Sequence, residues 1–430
     1  MRAKREEAAL GGCGRRAHRG RGMSRISVPR GHVPDIPLPE PPAALRRGPL
    51  REGAFRSALH DPRTAVVVGR LLGVSFAVCF LTGLLSHLMQ HQPGWLAFPS
   101  RPVWGYRVSQ GLHVATGIAA VPLLLVKLWV VYPRLFAWPP ARSVRHALER
   151  LSIAVLVAAA IFELATGLIN IVQWYPWPFA FVPVHYWIGW VATGALVLHI
   201  GVQLPVITEH WRRGPEVLPA ASPSAAGDGS SADAPSRRGL LAVLGASVGV
   251  VTLATVGQTV SPLAKVSLLA PRKPGVGPQD LPVNRTAAAA AVLTPIRDPG
   301  WRLTVAGPRG FSLSRAELLA MPQHTVTLPI ACVEGWSASA SWTGVRIRDL
   351  MDRAGAPRDA TLRVVSLELG SPYSVMEMRH DYTRDPLTLL ALGLNGETLD
   401  EDHGYPARII APNRPGVLQT KWVDRMEVLT

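Results

Sequence analysis

Ser109 to Tyr132 reads SQGLHVATGIAAVPLLLVKLWVVY, a run whose only basic side chains are one histidine and one lysine. A run of that length meets the roughly 20 apolar residues that carry a helix across a bilayer. Similar runs lie near 65–89, 150–173 and 185–207, and a fifth, 239–258, holds no charged residue. The pattern predicts a bundle of four membrane helices, then one anchor helix, then a soluble domain.

Composition agrees with that reading. Charged residues make up 17% of the 430, against about a quarter in ordinary soluble domains, and the mean hydropathy is +0.19. Three cysteines, Cys13, Cys79 and Cys332, are too few for a disulfide scaffold of this length. The net charge of +16 does not point to nucleic acid. Residues 1–60 hold 13 basic against 5 acidic side chains, half of the net charge in one tail. A basic tail beside apolar runs reads as positive-inside topology, and its lack of hydrophobic period predicts disorder. Met23 is a candidate start within it.

Basic residues precede the first run (Arg51, Arg56, Arg63), separate the second from the third (Arg134, Arg142, Arg145) and follow the fourth (Arg212, Arg213). Both ends of the 61–212 bundle are therefore expected in the cytoplasm. The fifth run would then export everything beyond about 262, placing a domain over 271–430 on the periplasmic side of an inner membrane. Residues 213–236 read as a flexible linker rich in Pro, Ala, Ser and Gly. It ends in Ser236-Arg237-Arg238-Gly239-Leu240-Leu241. Those arginines are either the flank that topology requires or a twin-arginine signal, which exports a domain already folded. No convincing cleavage site follows, so 237–260 is expected to stay as an anchor.

The four runs contain a repeat. His113 and Gly117 open the second, His185 and Gly189 open the fourth, and Thr82-Gly83 and Thr166-Gly167 recur in the first and third. Two similar hairpins about a pseudo-twofold axis would bring His113 and His185 to one depth. Two facing neutral imidazoles are the axial ligands of a low-spin haem, and ionisable groups in lipid are usually functional. His199 lies 14 residues after His185, about 21 Å along a helix, which is the spacing of two stacked haems. The position 14 after His113 is Lys127, so a second haem stays open, with His199 a ligand or a hydrogen-bonded remnant. His87 and His91 flank a haem, bind quinone or meet the interface. Glu163 and Lys127 are either an ion pair or a proton route.

On these residues the 60–212 region resembles the bacterial cytochromes b that serve hydrogenases and formate dehydrogenases as membrane partners. It is also similar to the haem subunit of the periplasmic methionine sulfoxide reductase. The resemblance implies haem b and exchange of electrons with a membrane quinone or another carrier.

In the 271–430 segment, β-rich runs (Trp301 to Val305, Thr325 to Ile330, Leu362 to Leu367) alternate with brief helical patterns (Ser314 to Ala320, Ile347 to Ala354), predicting an α+β domain. Cys332 lies in Ile330-Ala331-Cys332-Val333-Glu334-Gly335-Trp336-Ser337. A lone cysteine is ordinarily a small hydrophobe, and a thiolate before a polar turn can instead bind a soft metal or act as nucleophile. No second cysteine or histidine cluster accompanies it, so zinc is not indicated.

Further along come Trp342-Thr343-Gly344-Val345, Asp349-Leu350, Leu394-Asn395-Gly396-Glu397, His403-Gly404-Tyr405-Pro406-Ala407-Arg408 and Lys421-Trp422-Val423. This ordered series resembles the molybdopterin-binding domain of the sulfite oxidase family over about 280–428. The resemblance implies that Cys332 is the protein ligand to molybdenum and the catalytic centre. It also implies that Asn284, Ser366, His403, Arg408, Gln419, Thr420 and Lys421 contact the cofactor. A phosphate tail would call for such guanidinium and ammonium donors. With the sequence stopping at Thr430, the immunoglobulin-like dimerisation domain of sulfite oxidases is expected to be absent, and Val-Glu-Gly-Trp-Ser after the cysteine departs from them too.

The expected activity is oxygen-atom transfer on a small oxo substrate, in the direction of S-oxide or N-oxide reduction. Two alternatives remain: oxidation of sulfite or a similar anion, and a non-catalytic haem sensor with an outer binding domain. Molybdopterin insertion in the cytoplasm would favour the twin-arginine reading, because the domain must then cross the membrane folded.

Overall fold

The structure, a computed structural model, describes residues 57, 59–135, 140–212 and 236–429. The basic tail expected over 1–60 falls almost wholly outside these, as does the linker over 213–235.

Five long helices come first: α1 (Pro62–Gln90), α2 (Gly105–Leu135), α3 (Val144–Val172), α4 (Phe181–Arg212) and α5 (Arg237–Val256). All are long and apolar enough to cross a membrane. Their starts follow local chemistry. The Asp61 carboxylate accepts from the backbone N–H of Arg63 at 2.7 Å and Thr64 at 3.0 Å, with Pro62 in the first turn. Ser143 and Ser236 cap α3 and α5 in the same way. Such side chains satisfy backbone donors that the first turn leaves open. Gln173 ends α3 in the left-handed conformation, φ 56°.

Helices α1 and α2 pair as one hairpin and α3 and α4 as another, while α5 packs against α2. Val68, Leu123 and Leu244 form the contact where α1, α2 and α5 meet. Leu81, Leu125, Leu151, Val197 and Val250 face outward and are exposed. Apolar side chains all round a helix suit lipid rather than water.

The remaining chain folds around two five-stranded sheets with short helices. Its elements are α6 (Leu293–Ile296), β1 (Arg302–Ala306), β2 (Phe311–Ser314), α7 (Arg315–Ala320), β3 (His324–Ala331), β4 (Ser337–Arg346), α8 (Ile347–Arg353), β5 (Thr361–Ser366), β6 (Val375–Met378), α9 (His380–Thr383), β7 (Leu389–Leu394), β8 (Glu397–Thr398), β9 (Arg408–Ile410) and β10 (Val423–Leu429). One sheet runs β2-β1-β10-β5-β6, and the other β3-β4-β7-β8 with β9 on β7. Only the β1–β10 pair is parallel. Strand β5 alternates buried and half-buried positions, the period-two pattern of a strand with one face in the core. Leu303, Leu350, Leu362, Val423 and Met426 belong to one core, and Leu328, Ile330, Trp342, Leu394 and Ile410 to a second behind the other sheet. The first turn of α7 carries a reciprocal cap, Ser314 with Glu317.

This arrangement sets the end of β3 against the helices. Gln110 of α2 donates to the Val333 carbonyl at 2.5 Å, and the Ser337 N–H donates to the carbonyl of Gln258, just past α5, at 2.7 Å. The Thr259 hydroxyl donates to the Gly335 carbonyl. Elsewhere on the seam Arg101 pairs with Asp385 at 3.1 Å, and Asn413 accepts from the Tyr106 N–H at 2.7 Å. The end of the helical region beside the C-terminal domain is called the near end below, and the opposite one the far end.

Candidate active site and histidine pair

Strand β3 stops at Ala331 and β4 begins at Ser337, so Cys332 to Trp336 form the tight connection between them. The Cys332 N–H donates to the Trp336 carbonyl at 2.9 Å, and the Gly335 N–H to the Cys332 carbonyl at 3.0 Å. Gly335 has φ 97°, and a Cβ there would lie 2.5 Å from Val114 of α2. A glycine is required at this position by both its backbone conformation and its contact.

The Cys332 thiol is buried. Its Sγ accepts from Asn284 Nδ2 at 2.7 Å, and the same nitrogen lies 2.7 Å from Glu334 Oε2. Trp336 Nε1 donates to Asn284 Oδ1 at 2.9 Å, which fixes the amide. Burial, with the Glu334 carboxylate second, pushes the thiol well above its ordinary pKa. A group so placed becomes a thiolate only when a cation replaces its proton.

A second cluster adjoins it through Arg285. The Arg285 carbonyl accepts from Lys421 Nζ, which also donates to the Asp402 carbonyl at 2.9 Å. Arg408 is almost fully buried, and its guanidinium donates to the carbonyls of His403 (3.0 Å) and Gln419 (3.4 Å) and stacks over Trp342. Burial lowers Arg408 to about 10; burial, with Arg408 second, lowers Lys421 to about 7; burial lowers His403 to about 4. Among the described residues neither Arg408 nor Lys421 forms an ion pair with a carboxylate. Among the described residues the buried Thr420 hydroxyl has no partner. Buried cations without a counter-charge are costly, so this cluster suits an anion, and a phosphate matches its donors.

The expected residues divide accordingly. Cys332 and Asn284 meet directly, and Arg408, Thr420, Lys421 and His403 gather around the second cluster. Ser366 and Gln419 brace it instead. Ser366 Oγ donates to the Lys421 carbonyl at 2.8 Å; Gln419 accepts from Ala411 N–H and donates to the Arg414 carbonyl. His403 spends Nε2 on the Pro278 carbonyl at 2.7 Å. Glu334 was not singled out from sequence. It is buried beside the thiol and accepts from Gln173 Nε2 of the helical region at 2.9 Å. Its signal was present in the Cys332 motif, but its partner lies 161 positions away.

In the helical region His113 and His185 face each other, with ring centroids 6.3 Å apart and planes at 87°. His113 Nδ1 is 2.8 Å from the Cys79 carbonyl and 3.5 Å from the Cys79 thiol. His185 Nδ1 is 3.0 Å from Glu163 Oε2. Both Nδ1 atoms are engaged, and among the described residues no hydrogen bond involves either Nε2. The repeat extends to the packing: His113 lies against Gly83 and His185 against Gly167. The glycines that admit the rings are thus those of the opposite helix in each hairpin. Gly117 and Gly189 instead face Cys79 and Glu163.

Glu163 and Lys127 do not pair, since Lys127 Nζ donates to the Ala65 carbonyl at 2.6 Å and Glu163 serves His185. His87 stacks on Tyr186 at 3.8 Å and on His91 at 4.6 Å. His199 lines the same cavity as His113, His185 and Lys127. Among the described residues no group of three or more metal-binding side chains is gathered.

The buried Cys332 thiol thus adjoins a cradle of donors that suits an anion. Residues 291–430 match the family model described as the oxidoreductase molybdopterin binding domain, and the C-terminal domain is an oxidoreductase domain of that kind. Sulfite oxidase from Arabidopsis thaliana is 25% identical over 36% of this chain and 48% of its own length. Rat mitochondrial sulfite oxidase is 29% identical over 31% of this chain and 30% of its own. The protein-methionine-sulfoxide reductase catalytic subunit MsrP of Xanthomonas campestris is 30% identical over 29% and 46%. The chain therefore spans less than half the length of these relatives. A solved structure, the sulfane dehydrogenase SoxCD from Paracoccus pantotrophus, aligns over 36% of this chain and 44% of that one, at 21% identity and a TM-score of 0.29.

Proposed function

We propose that the chain is a membrane-bound molybdopterin-dependent oxidoreductase that exchanges electrons between a b-type haem among its helices and an exported molybdenum site. The observation that carries this reading is the contact of Gln110 with Val333. It joins the residue after Cys332 to α2 three positions from His113, so two redox sites would lie within one helical turn of a shared seam.

The haem half rests on the His113–His185 pair. One ion bonded at about 2 Å to each Nε2 would hold two imidazoles at nearly the observed separation. Engaged Nδ1 atoms with free Nε2 atoms are the usual state of metal-binding histidines. Positive-inside topology and the paired arginines at 237 and 238 support a cytoplasmic bundle end and a periplasmic domain exported folded.

At the C-terminal site the molybdenum cofactor supplies two-electron oxygen-atom transfer. Cys332 would hold its metal, Asn284 would orient the thiolate, and Arg408, Lys421 and Thr420 would hold its phosphate. The favoured direction is reduction of an S-oxide or N-oxide, in which an S-oxide takes up two electrons and two protons and leaves as thioether and water. Oxidation of sulfite with electrons passing inward is the second reading, favoured by the sulfite oxidases among the relatives.

Metal analysis and a redox difference spectrum on the detergent-purified chain test the assignment. About one molybdenum per chain with a reducible b-type band supports it; haem without molybdenum, from cells competent in cofactor synthesis, refutes the catalytic half. Cys332→Ala should abolish turnover while leaving the haem band intact, and retained turnover would sink the role given to Cys332.

A further inference from the structure

The Cys332 thiol is braced by a series of side-chain hydrogen bonds that ends in the helical region. Asn284 Nδ2 reaches both Cys332 Sγ and Glu334 Oε2 at 2.7 Å. Glu334 Oε1 accepts from Gln173 Nε2 at 2.9 Å, and Gln173 Oε1 accepts from the Arg272 guanidinium at 2.5 Å. Arg272 also donates to the Ile171 carbonyl in the last turn of α3 at 3.3 Å, where a cation suits the helix dipole. These partners fix the sense of both amides. A guanidinium or an indole N–H only donates and an ionised carboxylate only accepts, so neither Gln173 nor Asn284 has a second orientation that satisfies its neighbours.

Gln173 is an unusual residue for its backbone. Its N–H donates to the Asn170 carbonyl and the Trp174 N–H to that of Ile169, the paired bonds that close a helix through a left-handed residue. Glycine or asparagine commonly fills that position, whereas here a glutamine sits at φ 56°. A larger side chain strains such a backbone, and strain of this kind clusters where a side chain has work to do. Both ends of the Gln173 amide are spent on Arg272 and Glu334.

We propose that Gln173 is a positioning residue for the metal-binding thiolate: it holds Glu334, which holds Asn284, which holds the Cys332 sulfur. The inference rests on the molybdenum reading above and goes beyond it, because the surroundings of the sulfur are then complete only with α3 beside the C-terminal domain. Hydrogen-bond partners one step removed from a metal orient its ligands and tune their basicity, and losing one costs about 10–100-fold in affinity or activity. The effect therefore falls on kcat and on the spectrum of the metal, and leaves KM for the oxo substrate alone.

Gln173→Gly and Gln173→Glu in the full chain separate this role from a simple tie between the two halves. Glycine suits the left-handed turn and deletes the side chain, so folding is not at risk. Glutamate keeps an acceptor for Arg272 and puts a second carboxylate where Glu334 had a donor. A simple tie survives in the glutamate variant, and positioning is lost in both. Turnover is read with reduced methyl viologen and dimethyl sulfoxide, or with sulfite and ferricyanide where the wild type runs that way. In both variants kcat should fall about tenfold or more at unchanged KM, and the Mo(V) electron paramagnetic resonance signal should shift, with the haem band as in the wild type. Wild-type kcat and Mo(V) signal in either variant overturn the role. A raised KM at unchanged kcat overturns it too, since Gln173 would then be a substrate contact. Chain from a host unable to make molybdopterin gives a reading that needs no metal. There N-ethylmaleimide should alkylate Cys332 about fivefold faster in both variants, the scale of one lost hydrogen bond, and equal rates overturn the relay. A wild-type chain that takes up no molybdenum overturns the molybdenum reading and this role with it, whereas loaded variants that match the wild type overturn this role alone.

Discussion

Lys421 is buried, and the Asp402 and Glu368 carboxylates, neither ion-paired with it among the described residues, do not offset that burial, so the stability of the cofactor-free chain should depend on its protonation. Its pKa falls on folding from the ordinary 10.5 to about 7. Between those values the unfolded chain binds more protons than the folded one, so stability climbs as pH rises through that window. Chain purified from a host unable to make molybdopterin should melt at higher temperature at pH 9 than at pH 7. Loaded chain, with the amine paired to phosphate, should lose that dependence, and equal slopes for both forms would contradict the cradle. Lys421→Met should remove the slope and lower molybdenum content. Glu163 belongs to the same scale. Its carboxylate holds His185 Nδ1, and on the haem reading proposed above such a partner would make the ligating nitrogen more basic and favour the ferric state. Glu163→Gln should keep the haem and raise the ferrous-to-ferric ratio about tenfold at fixed potential, equivalent to 59 mV for one electron. A redox titration would read this directly.

At the scale of elements, the β3–β4 connection both carries the thiol and contacts the helices. Gly335→Ala places a side chain at φ 97°, a strain of about 1–3 kcal/mol, and drives its Cβ toward Val114. The expected result is molybdenum retained, haem retained, and slowed reoxidation of reduced haem by substrate in stopped-flow. Unaltered reoxidation would mean the seam is not the electron path. Much of this level was legible in sequence. The five apolar runs foretold α1 to α5, because length and hydropathy alone define such helices, and the β-rich runs at 301, 325 and 362 became β1, β3 and β5. The ends were less legible. Helix α2 begins at Gly105 rather than near 109, since polar residues at the seam extend it beyond its apolar part. The site was legible where chemistry sits in consecutive residues, as at Cys332 and Arg408. It was not legible where partners come from different domains, as with Glu334 and Gln173, because nothing in either local sequence specifies the other. Ser366 and Gln419 were expected to contact a cofactor, and only the fold reveals that their polar atoms are spent on backbone.

For the whole molecule, the two halves meet through contacts scattered along the chain: Arg101 with Asp385, Tyr106 with Asn413, Gln173 with Glu334 and Gln258 with Ser337. Several of these are exposed or half-exposed, and such pairs contribute little singly. A C-terminal domain expressed without the helices, if it takes up molybdopterin, should therefore turn over with an artificial electron donor. It should not bind tightly when mixed with a separately made helical region. Strong association in trans would assign the seam far more affinity than its contacts suggest.

The position of α5 has a consequence for how turnover depends on abundance. Its last residue, Val256, is followed within three positions by Gln258 and Thr259, which hold Ser337 and Gly335 beside the thiol. On the function proposed above, α5 would thus deliver the catalytic domain to its own partner at the millimolar local concentration of a short tether. Two separate subunits would have to find each other in the membrane, and their activity would fall as the square of their density when they become scarce. In one chain the rate per molecule should stay constant on dilution into excess lipid, so a cell could run this chemistry at a handful of copies.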